Sequence, residues 1–518
     1  MKMNSLKFLG LSAVPLISSV AVPGQKMQQP NIVLFMVDDM GWQDTSEPFW
    51  SQLTPYNKLC RTPNMERLAR QGVKFTSAYA CAVSSPTRTS LMTGMNAARH
   101  RVTNWTLNLN TSTDVSDPEL AFPSWNVNGL QPADSTPIVS NGVYATSLTQ
   151  ILKDNGYYTI HAGKAHWGAK TTPGSNPLNL GFDVNIAGSE IGGPASYYGT
   201  ENFGNGAFHI TGLDEFYGSD IFLTEALTRK SIEALNSRPV DKPFYLYLSH
   251  YAIHIPIQND SRFAANYANQ SLSAKEISYL TMIEGMDKSL GDLLDYLQKN
   301  NLTDNTVVIF MSDNGGHSSV GNVTLNDVRY PHNYPLKGSK GSVYEGGIRE
   351  PMIVKWPGIT KANSTCDRPV IIEDFFPSIL EMSGIHHFKT VQKLDGLSFV
   401  PVLRGEVGRH KNRKMYWHFP NRWGENAIGS SCYSAVRFGD YKLIYRWHAK
   451  LLELYNIKAD IGESKNLVWD NKKLTYSLAG MLGKYLRKVD AQRPVDKATG
   501  LPVAWPDEVK IQSVPVIP

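Results

Sequence analysis

Two apolar runs, each closing on oxygen-bearing side chains, constrain this chain more than any other feature. Asn31 to Val37 is apolar after its first residue and ends in Asp38-Asp39. Thr306 to Met311 is equally apolar and ends in Ser312-Asp313-Asn314. Unbroken runs of this length read as strands buried on both faces, which belong to parallel sheets covered by helices. Open α/β sheets take their ligands at the carboxyl ends of the strands. Both acidic pairs therefore mark one end of one sheet, although Asp-Asp after a strand is by itself more often a turn or a helix cap.

The intervening segments fit that architecture. Thr62-Pro63 predicts a helix with Thr62 as cap, an apolar face of Met65, Leu68 and Ala69, and Gly72 as its stop. Val73 to Ala80, Tyr157 to Ala162 and Phe244 to Ser249 read as strands, and Leu148 to Asn155 as a helix. Ser273 with Glu276 forms a capping box, followed by one apolar stripe from Ile277 to Leu297. The fold class predicted is α/β: a large central, mostly parallel sheet flanked by helices over residues 25–405. After about residue 405 the texture changes. Strands at Lys414 to Phe419, Ser434 to Phe438 and Lys442 to Trp447, with a helix from Leu474 to Val489, predict a smaller α+β domain over 406–518. The tail from Arg493 is expected to wrap over the surface, and the Gly-rich segment Gly188 to Gly206 to form a loop near the site.

Length and charge narrow the function classes. A chain of 518 residues suits two domains, and its net charge of 51 − 46 = +5 contains no Lys/Arg block of the kind that binds nucleic acid. Lys2 and Lys7 precede an apolar stretch from Phe8 to Val22 that is broken by Pro15 and short for a membrane span. Residues 1–24 read as a cleavable signal peptide, directing export to the periplasm, with the cell surface or secretion as alternatives. No other run is long enough to span a membrane. Cys60, Cys81, Cys366 and Cys432 are far apart with no Cys-x-x-Cys pair, which argues against structural zinc and leaves any disulfide pairing open.

The chemistry is carried by Ser84-Ser85-Pro86-Thr87-Arg88, followed by Thr89-Ser90-Leu91-Met92-Thr93-Gly94. The stretch resembles the type I sulfatase signature, Cys/Ser-x-Pro-x-Arg with a Leu-Thr-Gly tail. Register selects Ser84, because Pro86 and Arg88 stand two and four places on; Cys81 and Ser85 fail that test. A helix start with a Ser cap and an early Pro is the plain alternative. The resemblance implies that Ser84 is oxidised to formylglycine (3-oxoalanine) by the serine-accepting, oxygen-independent maturation enzyme, which suggests a bacterial host. Hydration of that aldehyde gives two hydroxyls on one carbon, one to attack sulfur and one to expel sulfate.

The resemblance extends along nearly the whole chain, from Asn31 to Asn456, and implies the alkaline phosphatase superfamily fold. It makes Asp38, Asp39, Ser84, Asp313 and Asn314 the metal site. Oxygen donors of this kind suit calcium, with magnesium possible. Gly163-Lys164-Ala165-His166-Trp167-Gly168 is similar to the family's Gly-Lys-Trp-His-x-Gly, so Lys164 would hold a sulfate oxygen and His166 would act as base. His254 in His254-Ile255-Pro256 matches the acid of Pro-His-x-Pro, with His250 a packing residue. Pro335 to Gly341 and Tyr344 to Arg349 resemble the second signature. Lys340 there would contact sulfate or the leaving oxygen, and Glu345 to Arg349 would stabilise the loop. Arg88 would brace the cluster. Ala165, Trp167, Ile253 and Lys337 depart from the family pattern and are expected to reshape the pocket wall. Trp105, Lys337 and His418 are the candidate sugar contacts, with Tyr416-Trp417-His418-Phe419 and Tyr197-Tyr198 as further stacking faces.

The function implied is an exported sulfatase that removes O-sulfate from galactose or N-acetylgalactosamine residues of a sulfated carbohydrate. The alternative is a phosphomono- or diesterase using Ser84 directly; it would want two zinc ions and Asp-His where this chain has Asp313-Asn314. A sugar-binding protein with a dead site is opposed by the retention of Lys164, His166, His254 and Lys340.

Overall fold

In the computed structural model, the described residues are 29–512, apart from 321, 326–327, 407–409, 411–412 and 425–431. The leader read at 1–24 lies outside them. The wholly buried run Asn31–Val37 is β1, the middle of a nine-stranded sheet. The other strands are β2 (Val73–Tyr79), β3 (Tyr158–Gly163), β4 (Val184–Ile186), β5 (Phe244–Ser249), β6 (Thr306–Ser312), β7 (Arg349–Lys355), β8 (Ser364–Cys366) and β9 (Val370–Ile371). Their spatial order is β8-β2-β7-β6-β1-β5-β3-β4, with β9 also on β2. Every pairing is parallel except those of β7 with β2 and β6.

The antiparallel strand β7 is the main element absent from the sequence reading. Pro351 sits in it, and Pro has no N–H to give to a ladder. The pairing with β2 slips between Glu350 and Met352, which places the proline at an irregularity where no ladder bond is needed.

Helices cover both faces. They include α1 (Pro63–Gln71), α2 (Ser84–Thr93), α3 (Leu148–Asp154), α4 (Leu223–Asn236), α5 (Ala274–Lys299) and α6 (Phe375–Met382). Ser273 and Glu276 close the capping box of α5, with Glu276 N to Ser273 Oγ at 3.3 Å and Ser273 N to Glu276 Oε2 at 2.6 Å. Thr62 differs from expectation. It stands at the cap position of α1 without capping it, because its hydroxyl bonds Thr45 and Ser46. The buried Asp287 of α5 does the capping, accepting from the N–H groups of Asn64 (3.0 Å) and Met65 (2.8 Å).

The C-terminal sheet is an antiparallel meander of β10 (Lys414–Phe419), β11 (Tyr433–Phe438), β12 (Tyr441–Arg446) and β13 (Leu451–Asn456). Alternation along β10 gives it two jobs. Met415, Trp417 and Phe419 join the core of the large domain, whereas Tyr416 packs with α7 (Lys472–Lys488). The chain after Arg493 pairs Val495-Asp496 with Leu120-Ala121 and buries Val503 against the small domain. No helix among the described residues is long and apolar enough to cross a membrane.

Replacing Asp287 by Ala leaves two backbone N–H groups of α1 unpaired, that of Met65 buried and that of Asn64 half-buried. Urea unfolding should show a loss of about 2 kcal/mol; an unaltered midpoint would mean that α1 is capped by other means.

Candidate active site

The ends of β1, β2, β3, β5 and β6 lie at one edge of the sheet because these strands run in parallel. Cross-strand bonds continue past the ladders and fix the connecting loops: Asp313 N to Val37 O (2.9 Å), His250 N to Met36 O (2.9 Å) and Lys164 N to Ser249 O (2.7 Å). Asp39 and His166 take left-handed backbone conformations (φ 59° and 58°), which residues with a Cβ seldom adopt. Strain of this kind collects where side chains must be aimed.

Ser84 opens α2, a helix whose ten residues are all buried. Its Oγ lies 3.0 Å from Lys164 Nζ, 3.0 Å from Asn314 Oδ1 and 3.3 Å from Asp38 Oδ1. Lys164 Nζ also reaches Asp38 Oδ2 at 2.6 Å, and Lys340 Nζ reaches Asp39 Oδ1 at 2.6 Å. Arg88 grips Asp313 Oδ2 through Nε (3.0 Å) and Nη2 (2.8 Å) and donates to the Lys164 carbonyl (2.8 Å) and Ser249. His254 Nε2 stands 3.8 Å from Asp39 Oδ2. The structure thus brings Ser84, Arg88, Lys164, His254 and Lys340 to the carboxylate cluster, and His166 to the cavity that Ser84 and Lys164 line.

Asp38, Asp39 and Asp313 offer ligand atoms within 4.8 Å of one another, and Asn314 adds its amide oxygen beside Ser84. Asp39 Oδ2 is buried with no hydrogen-bond partner. An orphaned carboxylate oxygen among hard oxygen donors fits a calcium or magnesium ion, and no histidine or cysteine belongs to the cluster. Burial, with Asp313 alongside, pushes the Asp38 carboxyl well up against the pull of Lys164. Burial is the largest influence on Asp39 and Asp313 too, but the cations around them together outweigh it, Lys340 foremost at Asp39 and Arg88 foremost at Asp313, so both are held low.

The histidines are presented one nitrogen at a time. His166 bonds the Thr106 carbonyl through Nε2 (2.9 Å), which leaves Nδ1 buried and unpartnered. Burial and then Lys164 hold it well below its ordinary pKa, so it is neutral. His254 bonds the Ile255 carbonyl through Nδ1 (2.8 Å), and burial followed by Lys340 lowers it to about 3. Its side chain remains 19% exposed, facing a cavity of about 450 Å³ with Trp105, Phe208, Pro256 and Trp423 on the walls.

Several sequence expectations are corrected. His418 does not reach the cavity: its position on β10 points it away from the large domain, and both ring nitrogens are taken by Ser434 Oγ (2.7 Å) and the Gln492 carbonyl (2.7 Å). Lys337 is also outside it, its ammonium held by Tyr455 OH (3.2 Å) and lying 4.3 Å from the Tyr344 ring centroid. Trp105 does line it. Tyr416 stacks on Tyr485, and Tyr197 on Phe222, so neither is a sugar face. Ala165, Trp167 and Ile253 are fully buried in the core and do not line the cavity.

His317, Trp423 and the Gly192-Gly193 pair line the cavity and were missed. The glycines have a steric reason: a Cβ on Gly192 would lie 2.5 Å from His166 Cε1, and one on Gly193 would strike His254 Nδ1. Their only signal in sequence was a Gly-rich loop.

The sulfatase family profile matches residues 30–385, and the profile described as N-sulphoglucosamine sulphohydrolase, C-terminal, matches 339–492. The chain belongs to the sulfatase family and is a sulfuric ester hydrolase. A sulfatase of Formosa agariphila is 30% identical over 541 residues, covering 94% of this chain and 93% of that protein. Human N-acetylgalactosamine-6-sulfatase is 25% identical over 481 residues, covering 84% and 81%. The solved structure of Ps i-CgsB in complex with k-i-k-neocarrahexaose is similar at a TM-score of 0.68 and 26% identity, over 89% of this chain and 93% of that one.

Gly193→Ala should displace the His254 ring and lower kcat/KM for sulfate-ester hydrolysis roughly a hundredfold without unfolding the protein. Parent-like turnover would show that the loop yields.

Proposed function

We propose that this sulfatase is exported to the periplasm, carries formylglycine at position 84 and removes O-sulfate from a carbohydrate. The observation that carries the reading is the setting of Ser84. Its Oγ is within 3.3 Å of Lys164, Asn314 and Asp38 at the start of a buried helix, whose amino terminus favours an anion. Conversion of that hydroxymethyl group to an aldehyde removes two hydrogens, which the serine-type maturation enzyme would accept. When hydrated, the aldehyde supplies one hydroxyl to take up sulfur and a second to release sulfate. A calcium ion held by Asp38, Asp39, Asp313 and Asn314 would supply positive charge to a sulfate oxygen.

The chain's own groups divide the remaining work. Lys164 and Lys340 hold sulfate oxygens by charge. His254, anchored at Nδ1, presents Nε2 to protonate the leaving sugar oxygen. The negative charge of a bound ester opposes the effect of Lys340 and draws the proton onto that ring. His166, with Nε2–H committed to Thr106, has its Nδ1 lone pair ready to take a proton as sulfate departs. The Asn314 amide and the all-oxygen cluster favour this reading over a two-zinc phosphoesterase.

The substrate is proposed to be a sulfated galactose or N-acetylgalactosamine residue. The similarity to an N-acetylgalactosamine-6-sulfatase and to a protein solved with k-i-k-neocarrahexaose supports a glycan. Mass spectrometry of the peptide holding residue 84, from the native host, should show it lighter by two hydrogens. A panel of sulfated mono- and oligosaccharides should reveal desulfation by that protein. Ser84→Ala and Lys340→Ala should abolish most turnover, and His254→Ala should lower kcat by about 10²–10⁴-fold. Asp313→Ala should lose both bound calcium and activity. An unmodified peptide in fully active enzyme would overturn the reading.

A further inference from the structure

We infer that His317 is a positioning residue for the sugar that bears the sulfate, acting through a hydrogen bond from its Nε2–H. The inference rests on the carbohydrate reading above. His317 follows the metal-side Asp313-Asn314 by three residues and lines the cavity with Ser84, Lys164, His254 and Lys340. Its Nδ1 is held from behind by Ser319, at 3.1 Å from the backbone N and 2.7 Å from Oγ. A backbone N–H can only donate, so Nδ1 must accept, and the neutral ring carries its proton on Nε2. Burial keeps the ring neutral, lowering it to about 4 against the pull of Asp39.

Among the described residues that Nε2–H has no partner, and it is not sealed from the cavity that His317 lines, since it is absent from the buried unpaired atoms that include His166 Nδ1. The three cavity histidines therefore present three different faces. His166 offers a lone pair, His254 stands by Asp39, and His317 offers a fixed donor.

The ring beside it suits a sugar. Trp423, carried by the small domain, meets the His317 ring edge-on with centroids 5.2 Å apart, and Lys340 Nζ lies 5.5 Å from its own centroid. A Cβ at Gly341 would come within 2.5 Å of that indole, so a glycine is needed for the ring to sit so close. An apolar wall next to one oriented N–H matches a pyranose, which has apolar faces and hydroxyl edges. An aryl sulfate would meet the wall and leave the donor unused. The donor thus distinguishes sugar esters from aryl esters, and among sugars selects those with an acceptor oxygen at that point.

The test is a specificity ratio: kcat/KM for galactose 6-sulfate or N-acetylgalactosamine 6-sulfate, whichever the parent prefers, divided by kcat/KM for p-nitrophenyl sulfate. His317→Ala should lower the ratio roughly tenfold, mainly through KM of the sugar ester. His317→Leu, which keeps bulk without a donor, should do the same and serves if alanine impairs folding. His317→Gln, which restores an N–H, should recover most of the ratio. A ratio unaltered in Ala and Leu, or lowered as far in Gln, overturns the inference alone. A parent that hydrolyses p-nitrophenyl sulfate but neither sugar ester overturns the carbohydrate reading and this inference with it.

Discussion

Three carboxylates cannot be buried together unless cations come with them. Asp38, Asp39 and Asp313 are wholly buried, and each has its own partner: Lys164, Lys340 and Arg88. Removing one member of such a pair costs about 3–5 kcal/mol, because the other is left charged and dry. The arrangement is therefore a constraint on the fold as much as a site. The strands must bring residues 38, 88, 164, 313 and 340 to one place, or the core cannot close around them. It is also poised for an anion. Three carboxylates and three cationic groups balance in number, so a dication bound there would leave the centre attractive to a sulfate ester.

Parallel topology is what makes that meeting possible. Each neighbouring parallel strand delivers its carboxyl end to the same edge, and the chain leaves each end in a loop that carries function. Arg88 shows the result: one guanidinium reaches the ends of β3, β5 and β6 through Lys164, Ser249 and Asp313. Residues from distant parts of the chain are thereby held in a single hydrogen-bonded unit.

The small domain is tied to this unit by a second set of buried charges. Glu345, just after the loop of Lys340, accepts from Lys442 of β12 (2.8 Å), Tyr79 of β2 (2.7 Å) and Arg349 (3.0 Å), while its N–H bonds Glu463 (2.7 Å). Lys442 also pairs with Glu463 at 3.0 Å. The segment 345–349 thus does more than brace its own loop: it clamps one domain to the other beside the cavity. That clamp explains how Trp423 can serve as a cavity wall, since a wall carried on a loosely attached domain would not hold its distance from Lys340.

Much of this was legible from residue order because the relevant signals are local. Unbroken apolar runs mark buried strands, Ser273 with Glu276 marks a helix start, and the spacing of Pro86 and Arg88 singles out Ser84. Other features have no local signal. The strand β7 holds a proline that is tolerated only because the pairing there is irregular. The loss of His418 from the site follows from a period-two alternation whose inner face is set by what the small sheet packs against. The capping of α1 belongs to Asp287, more than two hundred residues away. The roles of His317, Trp423 and Gly192-Gly193 exist only as distances between loops. Chemical identity and short-range spacing reside in the chain itself; which face turns inward, and which loops touch, are settled by long-range packing that no short window of residues contains.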